Sequence, residues 1–396
     1  MRRLLLLVAV LVFVDTMLYA ALTPLLPHFA HEFGLSKTRA GVLVAAYAAG
    51  GLAGAGPGGF TTARAGARQA VLLGLTLVGL ASLGFAFAGS FWTLFAARVL
   101  QGAGSSFTWA GALAWLLAAA PRERRGELLG TALGAAVFGA LLGPVIGTAA
   151  ALAGRASVFV ALAGLMAVLG VWSLRFEPPG RGEAPSGAAL LRAFRNRQFV
   201  GGMLAMVLPA LLFGILSVLA PLHLAAAGWG AAAIGGVWLT GAGFEAVQAP
   251  LVGRWIDRRG RLVAVRVALA CAALTSLGLA ADGRPLYYVP LIVLASLSFG
   301  ALFTPAFALL ADGAGAAGLS QGIAFGLMNA AWAIGAVVGP AAGGALAGAT
   351  SDWIPFVIGA AICVLALALA RASSDHEGAA VLVDRLSGDA AGVGRE

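Results

Sequence analysis

Charge is scarce in this sequence: Asp, Glu, Lys and Arg make up 10% of its 396 residues, against 61% hydrophobic. A soluble chain of this length would have almost no polar surface to show water, which excludes a soluble globular protein. Cysteine is nearly absent too. Cys271 and Cys363 both lie in apolar runs, so neither a disulfide framework nor a cysteine metal cluster is suggested. Histidine is limited to four residues. His28 and His31 stand beside Glu32, but no fourth ligand is apparent and they read as a solvated loop end. With no metal-ligand cluster, phosphate-binding loop or nucleophile elbow, no metal, cofactor or enzymatic role is expected.

What the chain does contain is apolar runs of about 20 residues, each long enough for a ~30 Å hydrocarbon core. They fall at 4–26, 39–60, 69–89, 91–119, 128–153 and 156–175, and after a polar gap at 199–226, 231–253, 262–280, 286–311, 319–347 and 353–371. The opening MRRLLLLVAVLVFV has the look of a secretory signal, yet its apolar run passes Asp15 towards Pro24 without a convincing cleavage site, so it reads as a retained first span. Six spans plus six predict an all-α membrane protein of two pseudo-symmetric six-helix bundles, at 1–175 and 199–371. Between them, 176–198 predicts a Pro/Gly-rich linker followed by a basic amphipathic stretch from Leu190 to Phe199 on the inner leaflet. The tail at 372–396 predicts disorder.

The net charge of +9 suggests nucleic acid only if its distribution is ignored. Of 25 basic residues, only Lys37, Arg39, Arg155 and Arg284 fall in loops on one side; Arg98 lies inside a span and the rest fall on the other side. That asymmetry is the positive-inside rule, with both termini in the cytoplasm, the lipid bilayer as surrounding and no nucleic-acid partner.

Within the spans, ionisable residues are few, and each costs roughly 2.5–3.5 kcal/mol to insert, so they are expected to face the interior and to carry function. Asp15 lies about eleven residues, or ~16 Å, along the first span, with Tyr19 one turn further on. Arg98 lies in FWTLFAARVLQGAGSSFTWAGAL, with Trp109 three turns below it. Glu245 lies in GAGFEAVQAP, where Gln248 at i+3 is a candidate hydrogen-bond partner. Trp238, Asn329 and Trp332 complete a set of candidate cavity residues. Pro305 predicts a kink in the tenth span.

One long pattern occurs twice, about half a chain apart. GTALGAAVFGALLGPVIGT, from Gly130 to Thr148, places Gly130, Gly134, Gly139, Gly143 and Gly147 close to one helix face, with Pro144. GLMNAAWAIGAVVGPAAGG repeats the spacing with Gly326, Gly335, Gly339, Pro340 and Gly343. Small residues four apart let helix backbones approach in lipid, and duplicated halves with a site between them are a transporter architecture.

These runs resemble the fifth-helix motif of proton-coupled antiporters of the major facilitator superfamily; Thr148 stands where that motif ends in Gly. Arg98, Gln101, Gly102 and Gly104 match that family's R-x-x-Q-G-x-G motif. Its cytoplasmic loop motif is matched in the first half at Gly59, Arg64, Gly66 and Arg68, with Ala63 in place of the acid and Ala67 in place of a base. In the second half it is matched at Gly253, Asp257, Arg258, Gly260 and Arg261. Nearly the whole chain to about 371 is similar to the twelve-helix drug:proton antiporters, and most so to the vesicular amine transporter branch, whose first-helix Asp is matched by Asp15. Asp312 matches an acid of that branch, but Asn329 and Ser217 stand where it has acids.

The resemblance implies a monomeric efflux antiporter of the inner (plasma) membrane. It would exchange protons for small lipophilic, cationic or aromatic compounds, with Asp15, Arg98 and Glu245 in proton coupling. The expected switch is an Arg98 that approaches Asp15 in one state and leaves it in the other, because a nearby guanidinium favours the carboxylate and burial opposes it. A facilitator or proton symporter for a small metabolite on the same fold is the alternative.

Overall fold

The computed structural model describes residues 2–121, 124–177, 187–281, 284–319 and 321–371. They form α1 (Arg2–Ala20), α2 (Leu22–Glu32), α3 (Lys37–Arg64), α4 (Ala67–Ala86), α5 (Phe91–Ala119), α6 (Arg125–Ala153) and α7 (Arg155–Ser173). There follow α8 (Gly187–Arg195), α9 (Arg197–Ala226), α10 (Ala231–Arg259), α11 (Arg261–Ala281), α12 (Pro285–Ala316), α13 (Gln321–Ala349) and α14 (Trp353–Arg371). The linker at 178–186 and the tail at 372–396 lie outside the described residues.

Among the described residues, ten helices, counting α1 and α2 as one, are long and apolar enough to cross a membrane. The two long helices that fall short are α5 and α10, and these carry Arg98 and Glu245. Each spends apolar positions on polar and glycine residues. Large apolar side chains such as Leu80, Val168, Leu204, Leu274 and Leu369 point outward, most of them more than half exposed, as a lipid-facing surface demands.

Local chemistry sets the helix starts. Ser36 caps α3 by accepting from the Arg39 amide, Ser90 and Thr93 form a reciprocal capping box on α5, and Asn196 caps α9 through the Phe199 amide. The turns after α3 and α10 pass through Gly66 (φ 102°) and Gly260 (φ 84°), a backbone region that only glycine enters without strain.

Helix pairing repeats from one half to the other. The stripe on α6 packs on the first span: a Cβ at Gly139 would overlap the Phe13 carbonyl, one at Gly143 would overlap Ala20, and one at Gly147 the Ala21 carbonyl. In the second half, Gly335 and Gly339 of α13 lie against the Val207 and Leu211 carbonyls of α9, and Gly343 lies against Ile215. Three positions of the expected stripes differ: Gly130, Gly134 and Gly326 meet nothing within 4 Å.

The reason is where the halves touch. At the end carrying Lys37, α3 and α13 are in backbone contact: a Cβ at Gly41 would overlap the Pro340 carbonyl, and one at Gly344 the Lys37 carbonyl. Thr148 of α6 donates to the Ala231 carbonyl of α10 at 3.3 Å, and Lys37 pairs with Asp352. Midway along, Ala48 and Leu52 pack on Trp332, Ala333 and Ala336. Beyond that level the same stripes continue as Gly56 and Gly59 on α3 and Gly326 and Asn329 on α13, and all four residues are exposed. The halves are closed at the Lys37 end and parted at the loop-motif end.

Accordingly, in a background lacking Cys271 and Cys363, a cysteine pair at Thr38 and Gly348 crosslinks readily, whereas one at Gly56 and Gly326 does not. Mass shifts after a short bifunctional thiol reagent check this. Lys37 and Asp352 are both about 40% exposed. Asp352→Asn is therefore expected to change thermal stability by no more than ~1 kcal/mol.

Of three sequence expectations about helix continuity, one is corrected, the extent of the amphipathic helix. The first span runs through 4–26 as one apolar run from Arg2 to Glu32, its hydrogen-bond ladder interrupted only at Ala21, whose backbone stays helical (φ −64°, ψ −21°) a turn before Pro24. Pro305 lies inside a continuous α12. The amphipathic helix is α8, ending at Arg195; it buries Ala189 and Ala193 against Phe199 and Leu310 while leaving Leu191 and Phe194 more than half exposed.

Candidate functional site

Arg98, Gln101, Ser105 and Trp109 recur every three or four residues and so form one face of α5. Two close approaches turn that face onto α3: a Cβ at Gly102 would overlap the Tyr47 carbonyl, and one at Gly50 the Val99 carbonyl. Tyr47 is thereby laid against the polar face. On the other side, α1 is pinned to α6 at Gly139 and by Thr16, whose hydroxyl donates to the Ala136 carbonyl at 2.7 Å. This delivers Asp15 to the centre, only 5% exposed.

One oxygen of Asp15 takes every bond. Oδ2 accepts from Ser105 Oγ at 2.6 Å and from Trp109 Nε1 at 2.8 Å. The Tyr47 hydroxyl lies 3.2 Å from Oδ2 and 2.8 Å from Ser105 Oγ, so its single proton goes to either. Oδ1 has no hydrogen-bond partner among the described residues. A proton can therefore sit on Oδ1 with all three donors still in place.

Arg98 is 2% exposed, and among the described residues it has no carboxylate within ion-pair distance. Nη2 donates to the Tyr19 carbonyl at 2.8 Å, and Nη1 donates to Gln101 Oε1 at 2.8 Å with a longer contact to the Leu18 carbonyl. Those carbonyls lie beside the interruption of the hydrogen-bond ladder at Ala21, a turn before Pro24, which has no N–H to donate. Nε of Arg98 has no partner among the described residues. The guanidinium lies 4.9 Å from the Tyr47 ring centre and 5.6 Å from that of Tyr19, within cation–π range. A direct Arg98–Asp15 pair is thus not formed; the two are joined through Tyr47.

The aromatic residues extend this centre across the halves. Tyr19 and Tyr47 rings are 4.8 Å apart, and Trp332 of α13 meets Tyr19 edge-on at 5.3 Å. Trp238 packs on the main apolar core and makes no ring contact with this group among the described residues. Asn329 is exposed at the parted end. Glu245 lies in the other half against Gly300 of α12, and Gln248 does not bond it.

The loop motifs are less complete. Arg64 covers the Phe60 ring at 4.5 Å, Arg68 has an Nε without a partner among the described residues, and Arg258 is exposed. Gly59 and Gly253 face open space. The side chains of Asp257 and Arg261 lie outside the described residues.

Sequence reasoning missed Tyr47, the donor role of Ser105 and the hydrogen bond from Trp109, a candidate cavity residue, to Asp15. Ser105 was within reach, because it shares the face defined by Arg98, Gln101 and Trp109. Tyr47 carried only the weaker signal of a phenol inside an Ala/Gly-rich span.

Paired helix contacts repeated between halves, around a buried acid, a buried guanidinium and shared aromatic rings, define a multi-pass membrane transporter and not an enzyme. The sequence profile of the Major Facilitator Superfamily matches residues 8–325, and the chain belongs to that superfamily. No curated protein matches the sequence significantly. Among solved structures, a point mutant of the nucleoside transporter NupG is similar with a TM-score of 0.72 at 14% identity, covering 93% of this chain and 99% of NupG. A bacterial homologue of the human lysosomal transporter Spinster, in an inward-facing, unoccupied conformation, is similar with a TM-score of 0.73 at 15% identity, covering 93% of this chain and 95% of its own. At these identities the likeness is one of fold.

Proposed function

We propose that the chain is a proton-coupled antiporter of the drug:proton type. It exports small lipophilic, cationic or aromatic compounds from the cytoplasm across the inner membrane, with both termini cytoplasmic. The observation that carries this is Asp15: a carboxylate deep in the molecule, with one oxygen held by three neutral donors and the other without a partner among the described residues. Such a group can gain or lose a proton while its surroundings stay organised.

Arg98 is the second element. Tied to the end of α1 here, it is one aromatic ring away from Asp15. When the halves rock and the first span bends near Ala21, the guanidinium is released from the Leu18 and Tyr19 carbonyls and the balance at Asp15 shifts towards the carboxylate. The parted end is then the cytoplasmic one, as the positive-inside distribution requires.

Inside-out vesicles containing the protein, acidified within, test this. An antiporter accumulates a lipophilic cation under that gradient and not when it is collapsed. Uptake insensitive to the gradient identifies a facilitator, and uptake driven only by the opposite gradient a symporter; either overturns the reading.

A further inference from the structure

Glu245 is an acid in the middle of a long helix, α10, that the site around Asp15 leaves unused. It lies on α10 between two faces whose contacts are fixed: Gly241, one turn earlier, abuts Ser296 of α12, and Gly235 abuts Thr148 of α6. Phe244, Val247 and Leu251, on the opposite side of α10, are each more than half exposed and face lipid. The carboxylate therefore points inward. It rests on Gly300, where any side chain would collide with it. Among the described residues it has no hydrogen-bond or ion-pair partner.

Around it the second half is apolar and aromatic. Phe303 is one turn beyond Gly300 on α12; its ring lies parallel to that of Phe213 (interplanar 9°, centroids 6.1 Å apart), and Phe213 meets Phe299 edge-on at 5.6 Å. Phe303 and Trp332 pack on the same cluster with Met206 and Met328, and Trp332 reaches Tyr19. Aromatic rings thus lie near Gly300, and Phe303 shares an apolar cluster with Trp332, which in turn meets Tyr19 at the centre.

We infer that Glu245 is the group that recognises the charge of the substrate, a lipophilic monocation held by this carboxylate over the Phe213–Phe303–Trp332 surface. The inference rests on the antiport reading for what the site is used for, but names a residue and a half for the task. Asp15 is ill suited to it: its Oδ2 is saturated by three donors and the Arg98 cation shares its network, which repels a second positive charge. Around Glu245 no such cation intervenes among the described residues, and aromatic faces together with one carboxylate select a large, weakly hydrated cation over a neutral analogue.

The test is equilibrium binding to the purified full chain in lipid nanodiscs of two probes of similar shape, methyltriphenylphosphonium and neutral triphenylphosphine oxide. Wild type is expected to prefer the cation. Glu245→Gln is expected to reduce that preference by about tenfold or more, the change that a loss of ~1.4 kcal/mol produces. Binding of the neutral probe should stay unchanged, which shows that the variant is folded, and Asp15→Asn should keep the preference. A wild type without preference, a Glu245→Gln variant that retains it, or a preference lost in Asp15→Asn instead, overturns the inference. If preference follows Glu245 while vesicles show no gradient-driven uptake, it is the antiport reading that falls and the charge-recognition role that stands.

Discussion

Asp15→Asn is expected to yield a folded protein in which gradient-driven accumulation of substrate falls at least ~100-fold, the lower end of what a positioned proton-transfer group contributes. The geometry makes this substitution unusually clean. All three donors converge on Oδ2, so an asparagine with its carbonyl oxygen in that place keeps the bonds from Ser105, Trp109 and Tyr47. Only the unpartnered Oδ1 becomes an amide, which cannot be protonated in the working range. Thermal unfolding in detergent should therefore move by no more than the ~1 kcal/mol of a single hydrogen bond. Uptake at the wild-type rate by Asp15→Asn would remove the residue from the mechanism. A large loss of stability would instead mark it as a tie between helices.

The second large effect is on folding and separates the glycines of one stripe. Gly139→Leu and Gly339→Leu are expected to abolish the monodisperse peak of a fluorescent fusion in gel filtration. A Cβ at either position runs into the backbone carbonyl of a neighbouring helix, Phe13 in one case and Leu211 in the other. Ordinary overpacking costs roughly 1–3 kcal/mol when side chains can give way; here backbone meets backbone, and whole helices would have to separate. Gly130→Leu and Gly134→Leu, on the same sequence pattern, meet nothing within 4 Å and should leave the peak intact. Equal damage at all four positions would mean that the halves are packed along their whole length.

That contrast also shows how far the sequence could be read. Apolar runs and their duplicated glycine–proline pattern disclose long helices and paired halves, because each depends only on residues within one helix. Which positions of a pattern find a partner depends on helix phase and on the angle between the halves: Gly139 and Gly339 meet Phe13 and Leu211 within their own halves, whereas Gly130, Gly134 and Gly326 lie where the halves are parted and meet nothing. The centre was legible in its charges and not in its bonds. Asp15 and Arg98 stand out as rare ions in apolar helices, and opposite charge suggests that they pair. The Tyr19 and Leu18 carbonyls, beside the ladder interruption at Ala21, instead hold Arg98, and the approach of α3 to α5 supplies Tyr47 to Asp15. The Glu245–Gln248 pairing failed for a related reason: packing against Gly300 holds the carboxylate towards α12, away from its own helix.

The most direct measurement of the central claim follows protons on the purified protein. In weakly buffered detergent solution containing a pH-sensitive dye, adding a lipophilic cation to wild type should release protons in proportion to the substrate bound. Asp15→Asn should bind the cation and release none. Release of equal size from both proteins, or none from wild type at saturating substrate, would contradict the account.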